Sequence, residues 1–178
     1  AIMSQQLMSP SLPPDDPSVA QLVDAIFETS TVPKLLEVLS ESPAAAATAG
    51  PETGERQLIA VLLLLQNLAG GHGQVRPRLV DAGAVEALLA FLVSRAPADR
   101  KPATPHAPPT PPSSSAEILG AAAVTLANLV LAPGGAARLD GAGGVQALVQ
   151  LLQARPAELQ AGVARTVGNL AHDSPPTT

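Results

Sequence analysis

Three short segments of the chain carry one hydrophobic pattern. Val32–Leu39, Val85–Leu92 and Val145–Leu152 align without gaps, and offsets 0, +3, +4, +6 and +7 from the leading Val are apolar in every copy. That spacing gathers apolar side chains on one face of an α-helix, where a half-buried strand would alternate. Two residues before the second and third leading Val stand Gly83 and Gly143, each near the end of a short segment, Leu79–Ala84 and Leu139–Gly144. A glycine there suits the left-handed residue that ends one helix so that another can begin. Ser30 takes that place in the first copy, after a longer helix predicted over about 18–29. Pro33 fits the first position of the helix that follows.

A third helix is predicted in each copy, over about 57–69, 117–131 and 158–171. Each closes on a shared ending: Gln66-Asn67-Leu68-Ala69, Ala127-Asn128-Leu129-Val130 and Gly168-Asn169-Leu170-Ala171. Counting back from each Asn, the second position is Leu65, Leu126 or Val167 and the sixth is Val61, Ala122 or Val163, sizes that let helices pack closely. The distance from leading Val to Asn is 35, 43 and 24 residues, so the first two copies carry insertions of eleven and nineteen at the same loop. These are assigned to 42–55, made largely of Ala, Pro, Gly and Thr, and to 96–115, which holds seven Pro. Residues 1–17 read as a disordered lead-in and 173–178 as a tail. Between them, 18–172 form a repeat domain with units at about 18–69, 72–131 and 134–172.

With these motifs in view, the chain resembles the armadillo repeat family. The resemblance rests on Asp81-Ala82-Gly83-Ala84-Val85, its variant Gly141-Ala142-Gly143-Gly144-Val145, the paired Leu88-Leu89 and Leu148-Val149, and the terminal Asn-Leu-Ala or Asn-Leu-Val. Asn128 and Asn169 lie 41 residues apart, inside the roughly 40–47 of such units. It implies an all-α, armadillo-like right-handed α-solenoid whose third helices line a concave groove. Members generally bind partner proteins there, often as extended peptides, and the family's groove asparagine carries over to Asn67, Asn128 and Asn169. A carboxamide offers an acceptor and two donors, enough to pair with both groups of a peptide unit. Each bond contributes only about 0.5–1.5 kcal/mol net, so a ladder of them is needed. An Asn near a helix C-terminus can equally satisfy loose carbonyls or brace the neighbouring unit.

Nuclear-import adaptors of this family carry a groove Trp one turn before each Asn. Here those groove positions hold Leu63, Val124 and Arg165, and the chain has no Trp. The acidic Glu37, Glu41 and Glu86 fall on second helices, while Arg56 and Arg165 fall on or beside third helices, so an import-adaptor role is disfavoured. The resemblance implies a non-catalytic scaffold or adaptor that holds a protein or extended peptide. The alternative is a regulatory or substrate-recruiting armadillo domain of a larger enzyme such as a ubiquitin ligase. Three units are near the minimum for a stable stack, and the last leaves an apolar face without a polar cap, so further repeats are expected in a longer protein.

Composition narrows the function classes. Among 178 residues there is no Cys, which excludes a disulfide framework and thiolate metal sites and points to an intracellular setting, cytoplasmic or nuclear. A net charge of −5 argues against nucleic acid as partner. The only aromatic side chains are Phe27 and Phe91, too few for base stacking. The longest apolar run, Leu58–Leu65, is far too short to span a membrane. His72, His106 and His172 lack partners at zinc spacing, so no metal or other cofactor is expected. The glycines at 70–73 and 141–144 lack a P-loop Lys, and no Gly-x-Ser-x-Gly occurs, so neither catalysis nor a small-molecule substrate is expected. Pro102–Pro105 and Pro105–Pro108 fit PxxP, and Ser42, Thr104 and Thr110 each precede Pro, but a tolerated loop insertion explains these features as well.

Overall fold

The computed structural model describes residues 17–40, 51–71, 74–96, 114–154 and 156–173. The described residues form helices joined by turns, with no strand among them. The helices are α1 (Pro17–Glu28), α2 (Thr31–Ser40), α3 (Pro51–Gly71), α4 (Val75–Asp81), α5 (Ala84–Arg95), α6 (Ser114–Leu129), α7 (Gly135–Gly141), α8 (Gly144–Leu151) and α9 (Ala157–Asp173). By their order along the chain, the described helices can be taken in three successive sets, each of a first, second and third helix. Of the lead-in expected over 1–17 and the tail expected over 173–178, Pro17 opens α1 and Asp173 ends α9; their other residues, most of both insertions, the PxxP segment, His72 and His106 lie outside the described residues.

Each turn between first and second helices places one residue in the left-handed region. Gly83 and Gly143 adopt φ of 86° and 70°, and Ser30 adopts the same left-handed region at 56°. Gly83 N–H donates to the Val80 carbonyl at 3.1 Å, and the Gly83 carbonyl accepts from Ala87 N–H at 3.1 Å. Gly143 repeats both bonds, to Asp140 and from Ala147. One left-handed residue thus caps the outgoing helix and opens the incoming one.

Several boundaries differ from the sequence expectation. Helix α3 begins at Pro51, so the last five residues of the stretch 42–55 are helical. Pro suits the first helical position because the N–H it lacks would find no partner there. Helix α6 starts at Ser114, at the edge of the Pro-rich stretch 96–115, and ends at Leu129, two residues before the expected 131. Pro33 is the third residue of α2, still inside the first turn.

The units stack side by side. Among third helices, α6 packs between α3 and α9; among second helices, α5 packs between α2 and α8; the short α4 and α7 touch each other. One contiguous apolar core runs from Val32 through Val85, Leu92, Leu126 and Leu129 to Leu159 and Val163. Thr125 and Thr166 are buried with it, and each hydroxyl donates back along its helix, to the Ala121 and Gly162 carbonyls. Leu65 and Leu126 are buried as their packing role requires, whereas Val167 at the same position of the last unit is exposed.

Polar contacts cross between units at equivalent places. Arg78 pairs with Asp24, and its guanidinium lies 4.3 Å from the Phe27 ring centre. Arg138, which like Arg78 stands seven residues before its leading Val, reaches Glu86 at 3.2 Å. Arg76 Nε donates to the Ala69 carbonyl at 2.7 Å, satisfying the C-terminal end of α3.

Candidate partner-binding groove

The third helices position a recess of about 570 Å³ that spans all three units. Leu63 of α3, Val124 of α6 and Arg165 of α9, each four residues before its Asn, line it together. Ile59 and Ile118 extend its apolar wall, and Gln66, Glu117 and Glu158 supply polar groups around it.

Small residues shape the recess. A Cβ on Gly162 would stand 2.5 Å from the Ala123 Cβ and 3.1 Å from the backbone of Ala123 and Val124. One on Gly120 would stand 2.9 Å from the Glu158 Cβ. Helices α6 and α9 therefore approach at backbone distance, and no side chain from these two positions fills the space above them.

The three asparagines are placed differently. Asn169 Nδ2 donates to the Ala127 carbonyl at 2.7 Å, across to the last turn of α6. Carbonyls of a last turn lack an intrahelical partner, so this bond braces unit three on unit two. Asn128 leans the same way, its Nδ2 4.0 Å from where a Cβ would stand on Gly70 near the end of α3. Asn67, in the first unit, is exposed. None of the three is among the residues that line the recess. The structure thus brings Leu63, Val124 and Arg165 together and sets the asparagines beside them, along the helix ends.

Glu117 and Glu158 were not anticipated on this surface, where sequence reasoning placed the acidic residues on second helices. Each lies eleven residues before its Asn, and Ile59, Gly120 and Ala161 lie eight before theirs. Positions four, eight and eleven share one helical face, so counting further back from the Asn would have found them. The surface is mixed in charge, two carboxylates with Arg165, and apolar between. Among the described residues no group of three or more His, Asp or Glu is placed to hold a metal ion, and no helix is long and apolar enough to cross a membrane.

Comparison with known proteins bears on the fold. Residues 138–172, which cover most of the third unit, match the family described as Armadillo/beta-catenin-like repeat. No curated protein matches the sequence. An engineered protein known from a crystal structure is similar at 25% identity and a TM-score of 0.47, over 86% of this chain; this chain spans 62% of the length of that one. Proteins built from such repeats commonly serve as scaffolds for protein interaction. From its three like units and the direct match in the third, the chain is an armadillo-like α-solenoid.

Proposed function

We propose that this chain is a non-catalytic scaffold or adaptor that holds a partner protein, as an extended segment, across its third helices. The observation that carries this reading is the recess itself. Residues at one repeated position, Leu63, Val124 and Arg165, line a single space across three units. An apolar floor ringed by a few charged groups takes an apolar side chain and orients the chain that bears it. Asn67 is exposed and offers its whole carboxamide to a peptide backbone. Asn169 keeps its carbonyl oxygen and one N–H for that purpose after bracing Ala127. In this proposal the partner is a protein or extended peptide, and the working compartment is intracellular.

The test is affinity capture from a cell extract with three proteins: wild type, a double variant Leu63→Glu/Val124→Glu, and Val93→Glu as a control at an exposed site on α5. Circular dichroism checks that all three stay helical. The proposal expects partners held by wild type and the Val93 variant to be lost from the groove variant. Equal capture by the groove variant and wild type would reject it.

A further inference from the structure

Charge is laid out unevenly along the recess. Glu117 and Glu158 stand in the first turns of α6 and α9. The close packing of these two helices sets them side by side. A Cβ on Gly120 would stand 2.9 Å from the Glu158 Cβ, and Gly120 follows Glu117 by one turn on the same face of α6. Residues so spaced have Cβ positions roughly 5–6 Å apart, so the two carboxylates share one edge of the recess. Arg165 lies two turns further along α9, about 10 Å from that edge by helix rise. Apart from Gln66, the rest of the lining is apolar. Among the described residues, none of Glu117, Glu158 and Arg165 forms an ion pair within the chain. A carboxylate in a first turn also favours the helix start. That role does not require both to border one recess with a guanidinium at its other end.

We propose, on the basis of the groove reading above, that the recess takes an extended protein segment in which one apolar side chain stands between a cation and a carboxylate. The apolar group enters the hollow, a Lys or Arg of the segment meets Glu117 and Glu158, and an Asp or Glu meets Arg165. The occupant is argued from charge complementarity. Two neighbouring carboxylates repel each other, and one cation between them relieves both. An extended chain rises about 3.3 Å per residue, so about three residues separate the two charges and the apolar residue falls between them. A run of basic residues fits less well, because a later cation in the run would come up against Arg165. An uncharged apolar segment would cover three charges without pairing any of them.

The probe is a library of random nonapeptides displayed on phage and selected in low salt against the whole chain. The same selection is run on Glu117→Gln/Glu158→Gln, on Arg165→Gln and on Leu63→Glu/Val124→Glu. Circular dichroism and urea midpoints establish that each variant is folded. Peptides held by wild type should carry an apolar residue with Lys or Arg on one side and Asp or Glu on the other, each within two residues. Glu117→Gln/Glu158→Gln should lose the enrichment in Lys and Arg while keeping the apolar residue, and Arg165→Gln should lose that in Asp and Glu. A selected peptide, made synthetically, should bind Glu117→Gln/Glu158→Gln about tenfold more weakly than wild type in fluorescence anisotropy, a difference that high salt removes. Leu63→Glu/Val124→Glu should hold none of the wild-type peptides. Were the carboxylates to serve only the starts of α6 and α9, their loss would lower the urea midpoint and leave the selected charges unchanged. That result, or a preference for basic runs over mixed charge, overturns the proposal and leaves the groove reading standing. Peptides that Leu63→Glu/Val124→Glu holds as well as wild type does, or a selection that enriches none, overturn both.

Discussion

At residue 30 the chain does with serine what it does with glycine at 83 and 143. All three sit in the left-handed region, where a Cβ crowds the following carbonyl. Ser30→Gly should therefore stabilise the fold by up to about 1 kcal/mol, and Gly83→Ala should destabilise it by about 1 kcal/mol. Both are read from urea midpoints at constant slope. A second pair of substitutions separates packing from propensity inside one helix. Gly162 and Gly168 both lie in α9, but a Cβ on Gly168 meets nothing within 4 Å while one on Gly162 meets Ala123 at 2.5 Å. Gly168→Ala should gain about 0.5–1 kcal/mol from reduced backbone entropy loss. Gly162→Ala gains the same propensity but must push α6 and α9 apart, at an overpacking cost of about 1–3 kcal/mol. A net loss is expected there, and equal effects at both sites would mean that α6 and α9 pack less closely than described.

At the scale of the helix, what the sequence made legible was whatever repeats locally. The second helices follow from apolar offsets because their periodicity lies within eight residues, and the turns follow because few residues tolerate positive φ. The first turn of α3 was not legible. Pro51-Glu52-Thr53-Gly54-Glu55 carries no apolar period, and its helix is an extension of the stripe that begins at Leu58. The recess was half legible. Leu63, Val124 and Arg165 share a register with the asparagines, but the closeness of α6 and α9 depends on which residues meet across units, Gly162 with Ala123 and Gly120 with Glu158. Nothing within one helix reports that pairing. The same limit applies to the asparagines, identical in sequence and different in surroundings. Asn169→Ala removes a bond that braces α9 on α6 and should cost about 1 kcal/mol of stability. Asn67→Ala, at an exposed position, should stay within about 0.5 kcal/mol of wild type. Thermal melts of the two single variants check this directly, and equal losses would show that Asn67 also braces the fold.

For the molecule as a whole, stability is carried by contacts between neighbours in a row, so position in the row matters. Charge contributes little to that coupling. Arg138 and Glu86 are both partly exposed, and exposed pairs contribute about 0.2–1 kcal/mol, screened by salt. Apolar burial does the rest, and it is uneven. Unit two is covered on both sides: Val85, Leu88, Leu89, Leu92, Leu119 and Leu126 are all buried. Unit one presents Leu64 to solvent on α3, and unit three presents Val145, Val149, Leu152 and Val167. Opening unit three exposes one interface, whereas opening unit two breaks two. Native-state hydrogen exchange in the chain should therefore be graded. Amides in the middle of α5 and α6 should exchange only through global unfolding, with the full urea dependence of that transition. Amides of α8 and the outer part of α9 should exchange through a smaller opening, with a lower free energy and a weaker urea dependence. Measured at several urea concentrations, the two sets should merge only near the midpoint. If α8, α9, α5 and α6 instead share one free energy and one slope throughout, the stack unfolds as a single unit. The coupling between units two and three would then exceed the stability that unit three lacks at its open face.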